Sequence, residues 1–495
     1  MRGRALGGGS GGAAVAPMSS KSWHIRRLLV EAAQLGPQGP AVNVRTGSQA
    51  RHAGAVKQRR CPARRSRAGL GPPMAKAPSD PAPDEPLPSA RALLKERDYL
   101  FFWASRWTGS FAAMIQSVAM GWQIYAIARL TRSVEESAFM VGMIGLAAFV
   151  PVFLLTLHAG ETADRYNRKT ILLVCMTGEA ASVLTLALAS WQGWASIPLL
   201  LGIAVVFGAS RAFFSPASTA LGPMLVPRKL LPRAIAWNSL AWQSASIAGP
   251  AVGGVLVALS PAHAYFATLT LYGVSMVSVA VIAKNAQPVV NPGSRWALMR
   301  EGLAYVWRQK IVFGAISLDL FAVLLGGATA LLPVFARDVL HVGAQGFGIL
   351  RSGPAIGATV VGVLLAINPI RHKAGLWMFA GVAVFGAATA VFAVSKVLWL
   401  SVGALVVLGG ADMLSVYVRQ TLVQLVVPDA MRGRVAAVSS VFIGASNELG
   451  EFESGVVARF LGPVLGALTG GLGALAVTGA WAALFPELRK ADRLE

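Results

Sequence analysis

The stretch Gly160-Glu161-Thr162-Ala163-Asp164-Arg165-Tyr166-Asn167-Arg168-Lys169 lies between two long apolar runs and decides how the chain reads. Arg165, Arg168 and Lys169 so close to Asp164 have no place in hydrocarbon, so the stretch marks a membrane face where two short-linked helices turn back. The same alternation of apolar run and short charged connection recurs on both sides of it.

Composition agrees: of 495 residues 55% are hydrophobic and only 13% charged, and the mean hydropathy is +0.58, outside the range of soluble domains. Twelve apolar segments follow one another, at about 100–127, 138–158, 170–190, 197–215, 234–258, 263–283, 311–332, 345–367, 375–394, 397–419, 435–458 and 463–485. Each is roughly 18 to 25 residues, long enough at ~1.5 Å per residue to cross a ~30 Å hydrocarbon core as a helix. An all-α membrane protein of twelve transmembrane helices is predicted.

The bases test that count. With the N-terminus inside, the inward segments carry 22 Lys or Arg and the outward ones only five, namely Arg129, Arg132, Arg337, Lys396 and Arg459. A missed span would swap the side of every later loop, so the asymmetry supports twelve spans with both termini cytoplasmic.

The formal net charge of +22 does not point to nucleic acid, because residues 1 to 73 alone hold thirteen Lys or Arg against the single acid Glu31. That region is rich in Gly, Pro, Ala and Ser without an apolar period, and reads together with the Pro-rich run up to residue 88 as a disordered tail. Two readings stand for it: a dispensable extension, with the natural start at Met74, or a functional basic tail. Downstream, the predicted organisation is a six-helix bundle over 89–283, a linker with an amphipathic helix over 284–310, a second bundle over 311–485 and a short tail to 495. Cys61 and Cys175 make no metal or disulfide pattern, and the histidines are scattered.

The two bundles read as copies. At an offset of 201 residues Pro227 falls on Pro428, Arg233 on Arg434, Ser239 on Ser440, Gly249 on Gly450 and Gly208 on Gly409. Nearer the start the offset drifts to about 206, laying Arg165 on Arg371.

At these residues the chain resembles the major facilitator superfamily, whose loop between helices two and three reads Gly-x-x-x-Asp-Arg-x-x-Arg-Arg/Lys. Gly160, Asp164, Arg165, Arg168 and Lys169 match it, whereas Asn167 replaces the usual Gly. The stretches RLTRSVEESAFMVGMIGLAAFVP (129–151), VPDAMRGRV (427–435) and SNELGEFESG (446–455) are similar to the transmembrane secretion effector branch, over residues 91 to 495. The resemblance implies two pseudo-symmetric six-helix bundles working by alternating access. It further implies export of a small molecule, siderophore-like or drug-like, across a bacterial inner membrane. Gly249, Pro250, Gly253 and Gly254 are similar to the antiporter motif of helix five, but Ala241 and Ala245 stand where the longer motif has glycine, so the run also reads as a kink with close packing.

Ionisable groups at membrane depth usually line a pathway or pair. Those at such depth are Arg106, Glu179, Arg211, Asp319, Arg351 and Asp412, with Glu448, Glu451 and Glu453 in span eleven. The repeat lays Arg211 on Asp412 with opposite sign and, more loosely, Arg106 near Asp319. Charge pairs between the bundles are one reading, and static pairs within the bundle are the other. A carboxyl such as Asp319, Asp412, Glu448 or Glu451 suits a proton carrier, because removal from water disfavours the charged form. In the signature loop, Asp164 is expected to meet the N-terminus of span eleven near Arg434, clamped by Arg165 or Arg168. Trp107, Trp122, Gln116, Gln123, Asn238, Trp242 and Gln243 give spans one and five a polar-aromatic character suited to an amphipathic ligand.

The sequence carries no nucleophile–base set and no phosphate-binding loop, which argues against a membrane enzyme and against nucleotide-driven transport. The expectation is a secondary transporter that needs no cofactor, draws on a proton gradient, binds a small molecule and no nucleic acid, and works as a monomer in the bilayer. The alternatives are an importer of the same superfamily, or a sensor or scaffold.

Overall fold

A computed structural model describes residues 90–284 and 295–492. The readings of the basic tail and of Met74 lie outside these residues. Twelve long helices follow in order: α1 Arg97–Ala128, α2 Val134–Arg165, α3 Arg168–Gln192, α4 Ile197–Leu225, α5 Leu231–Leu259, α6 Pro261–Val281, α7 Lys310–Leu325, α8 Gly343–Ile367, α9 Ala374–Val394, α10 Leu398–Val426, α11 Asp429–Leu461 and α12 Pro463–Leu484. A linker helix, Arg295–Arg308, precedes α7.

Eleven of these segments are long and apolar enough to cross a membrane. The exception is α11, 33 residues long, whose middle carries Glu448, Glu451 and Glu453. Large apolar side chains such as Trp399 (71% exposed) and Val174 (67%) face outward, as lipid contact requires. Buried aromatics such as Tyr125, Tyr265 and Phe347 fill the interior.

Several boundaries differ from the sequence reading. The ten-residue charged stretch is no loop: Gly160 to Arg165 complete α2, and only Tyr166 and Asn167 connect it to α3. Nothing in Glu161-Thr162-Ala163 breaks a helix, and Arg165 pairs with Glu161 one turn back at 2.5 Å. Asn167 caps α3, its side-chain oxygen accepting from the Lys169 backbone N–H at 3.0 Å. Helix α4 runs ten residues beyond the predicted 215, which sets Arg211 midway along it rather than near an end.

The seventh segment is interrupted. α7 stops at Gly326, and a 3-10 turn (Ala328–Leu331), a short helical turn (Leu332–Val334) and a π turn (Phe335–Val339) continue it. The cause is local: a Cβ on Gly327 would meet the backbone of Gly450 in α11, so the chain gives up regular geometry where two helices touch.

The repeat is visible in the packing. Gly208 of α4 lies against Ala148 and Pro151 of α2, and Gly409 of α10 lies against Pro354 of α8 in the same way. Gly249 of α5 meets Met114 of α1, and Gly450 of α11 meets Val323 and Leu324 of α7.

Candidate functional site: a charged seam between two half-bundles

Helices α1 to α6 and α7 to α12 meet along two seams, α2 on α11 and α5 on α8. Toward the end away from the Gly160–Lys169 stretch, each seam is a glycine pair. A Cβ on Gly142 would stand 2.9 Å from Gly455 Cα, and one on Gly254 would stand 2.8 Å from Gly348 Cα. Only residues without a side chain allow backbones so near. The same end is tied by Tyr125, whose hydroxyl donates to Asp338 at 2.5 Å, with Arg129 3.4 Å from that carboxylate. Phe139 of α2 adds a ring contact with Phe452 of α11, centroids 6.3 Å apart, and Arg459 lies over the Phe139 ring at 4.9 Å.

Charge crosses the boundary near mid-depth. Arg211 of α4 pairs with Glu448 of α11 at 2.6 Å, joining the halves. Arg351 of α8 lies 3.8 Å from Glu451, donates to the Thr329 carbonyl at 3.2 Å just past the break in α7, and reaches Ser117 of α1 at 3.3 Å. Gly145 of α2 sits directly on this cluster, since a Cβ there would stand 2.8 Å from the Glu448 carbonyl. Glu448 and Glu451 are thus tolerated at depth because cations of α4 and α8 meet them.

The partners differ from those the repeat suggested. Arg211 meets Glu448, not Asp412. Asp319 pairs within its own half, with Arg419 at 2.5 Å and side chains 6% and 4% exposed, and Arg106 donates to Ser218 of α4 at 2.9 Å. Asp412 lies beside Asp319 and Arg419. Sequence symmetry identified which positions of α4 and α10 carry charge but not where long side chains reach. Arg419 was missed, being counted as a connecting-loop base at the end of span ten. It stands inside α10, and the spacing Asp412, Ser415, Arg419 along one helix face was the available signal.

At the signature stretch the bases tie helix ends together. Lys169 donates to the carbonyls of Ala280 and Ile282 at 2.8 and 2.6 Å, where α6 ends and its last carbonyls need donors. Arg168 donates to Ala163 and Ala220, both at 3.3 Å. Arg434, expected to lie near Asp164, pairs with Glu301 of the linker helix at 2.5 Å. Arg165 lies on Glu161 of its own helix, and Arg168 ties the end of α2 to α4. Asp164 occupies the last turn of α2.

The helix-five motif is a packing device on two sides. Gly249 and Gly253 admit α1, and Gly254 admits α8. Pro250 contributes its carbonyl to the α8 contact: a Cβ on Gly348 would meet it at 2.5 Å. Of the polar-aromatic set, Gln116 accepts from Tyr272 and Gln123 from Tyr265, which fixes both in the core of the N-terminal half. Gln243 reaches α8, donating to Ala355 at 2.9 Å and to Thr359. Trp107 (37% exposed) and Trp242 (47%) remain open. An apolar cavity of about 510 Å3 lies along α2 and α4, lined by Met143, Ala147, Val150, Leu154 and Val205 among others.

Two matching seams between six-helix halves, a charge bridge at mid-depth and a broken seventh helix define a membrane transporter with the major facilitator fold. The chain belongs to the transmembrane secretion effector family, whose profile matches residues 88–495. Relatives include an uncharacterized MFS-type transporter, y4rN, of Sinorhizobium fredii, 28% identical over 51% of this chain and 58% of that one. The enterobactin exporter EntS of Citrobacter koseri is 26% identical over 74% of this chain and 86% of its own length. Among solved structures, a D-xylose–proton symporter superposes with a TM-score of 0.61 at 11% identity, covering 80% of this chain and 99% of that one, a likeness of fold alone.

Proposed function

We propose that the chain is a secondary exporter that moves a small amphipathic molecule out of the cell by alternating access, driven by proton antiport. The observation that carries this is the Arg211–Glu448 bridge, 2.6 Å between the halves, set beside two glycine seams. A charge pair between two bodies is a switchable contact, because protonating or displacing one partner removes the attraction that holds the halves at that depth. Direction rests on the family and on the exporter EntS among its relatives. The exposed Trp107 and Trp242 favour an amphipathic cargo, siderophore-like or drug-like. The excess of Lys and Arg on one side supports a cytoplasmic position for the signature stretch and both termini, in a bacterial inner membrane. Glu448 and Glu451 are the acids assigned to the proton, no cofactor is needed, and a monomer suffices.

The test compares, by untargeted mass spectrometry, compounds leaving cells that express the wild type, Arg211→Ala or Asp164→Asn, with and without a collapsed proton gradient. A compound released only by wild type with the gradient intact supports the reading and identifies the cargo. A compound that accumulates inside instead reverses the direction. No difference among properly inserted proteins removes the transport reading.

A further inference from the structure

Asp412, Ser415 and Arg419 stand at i, i+3 and i+7 of α10 and share one face. That face turns onto α7 and α9 around a small cavity lined by Asp319 and Val323 of α7, Phe385 of α9, and Asp412 and Ser415 of α10. The room available to the centre of a water-sized sphere is about 10 Å3, enough for a single small body. Ser415 is 2% exposed, and its hydroxyl oxygen has no hydrogen-bond partner. Arg419 is committed to one oxygen of Asp319 at 2.5 Å.

Two carboxylates and one guanidinium leave a surplus of one negative charge inside a three-helix wedge, beside an unsatisfied hydroxyl. Both are costly away from water. A water molecule would satisfy the hydroxyl but not the charge, and a proton on Asp412 would cancel the charge but leave the space, so only the two together would match what a single small cation does, and sodium binding tells these occupants apart. A divalent ion would overshoot by one charge. One small monovalent cation meets every condition, since carboxylate and hydroxyl oxygens are hard ligands.

We propose that this cavity binds one dehydrated cation of sodium or lithium size, held by Asp412, the Ser415 hydroxyl and the second oxygen of Asp319. The site lies within the C-terminal half, apart from the Arg211–Glu448 bridge. Its use in coupling rests on the transport reading above, whereas its occupancy does not.

The test is binding of radioactive sodium to the purified full-length protein in detergent at alkaline pH, by scintillation proximity, with choline chloride holding ionic strength. The expected result is one saturable site per chain, displaced by lithium and not by calcium. Asp412→Asn should abolish it, and Ser415→Ala should weaken it roughly tenfold. Asp412→Asn removes the surplus charge and should stay folded without sodium, so its thermal midpoint should no longer rise with sodium chloride as the wild type's does. Folded wild type without saturable sodium binding overturns the proposal, as does binding that survives both substitutions or proton release with no sodium uptake. Sodium binding without any exported compound would leave the site standing and remove the exporter reading alone.

Discussion

Helices α4 and α10 occupy equivalent places in the two halves, yet their charges do opposite things. One turn before the charge, Gly208 and Gly409 make the same backbone contact, on α2 through Ala148 and Pro151 and on α8 through Pro354. At the charged position itself, Arg211 reaches out of its half to Glu448, and Asp412 stays inside with Asp319 and Arg419. The duplicated scaffold is kept where backbones touch, because there any side chain collides. The charges were free to diverge, and the divergence separates a contact between halves from a site within one half.

The comparison breaks hardest at the glycines. Gly208→Leu and Gly409→Leu should each destabilise the bundle by at least about 1–3 kcal/mol through overpacking, seen as loss of the monodisperse peak in size-exclusion chromatography. A harmless Gly409→Leu beside a destructive Gly208→Leu would end the claim of a shared scaffold. Arg419→Leu should cost as much or more. It leaves a buried, unpaired Asp319 and should cost about 3–5 kcal/mol in thermal or denaturant unfolding, most of it recovered when Asp319→Asn is added.

Arg211→Ala should behave differently. Arg211 is 55% exposed but its partner Glu448 only 15%, so losing the cation should cost about 1–3 kcal/mol, less than at the fully buried Arg419, and most of it should return when Glu448→Gln is added, while transport falls sharply. The charge swap Arg211→Glu with Glu448→Arg should restore part of the activity. If Arg211→Ala and Asp412→Ala both left transport and its pH dependence intact, neither charge would take part in the mechanism. The smallest effect is expected for Glu161→Ala, which loses an exposed i,i+4 pair worth about 0.3–0.5 kcal/mol and should leave transport nearly unchanged.

Much of the fold was legible in the sequence for one reason: a membrane helix must carry its apolar run and its flanking bases in the chain itself. Hence segments such as 345–367 and 375–394 nearly coincide with Gly343–Ile367 and Ala374–Val394. The departures fall where tertiary contact overrides local pattern. α7 breaks at Gly326 and Gly327 under the approach of α11, and the last charged turn of α2 stays helical with Arg165 paired to Glu161, while α4 runs on uncharged to Leu225. The candidate site was legible by residue but not by pairing. Arg106, Arg211, Asp319, Asp412, Glu448 and Glu451 were singled out as charges at depth, but which of them meet depends on interhelical geometry, which a linear offset does not encode. Arg419 was hidden by its place near the end of an apolar run, where a base is expected to be a topology signal.

The central claim is that contacts between the halves open at one end as they close at the other. In a background lacking Cys61 and Cys175, spin labels at Leu130 and Phe460 would report the end closed by the glycine seams, and labels at Tyr166 and Arg432 the opposite end. On acidification, or in Arg211→Ala, double electron–electron resonance should show the first distance lengthen while the second shortens. Two distances that stay fixed under every condition, in a protein that still exports its compound, would contradict the account.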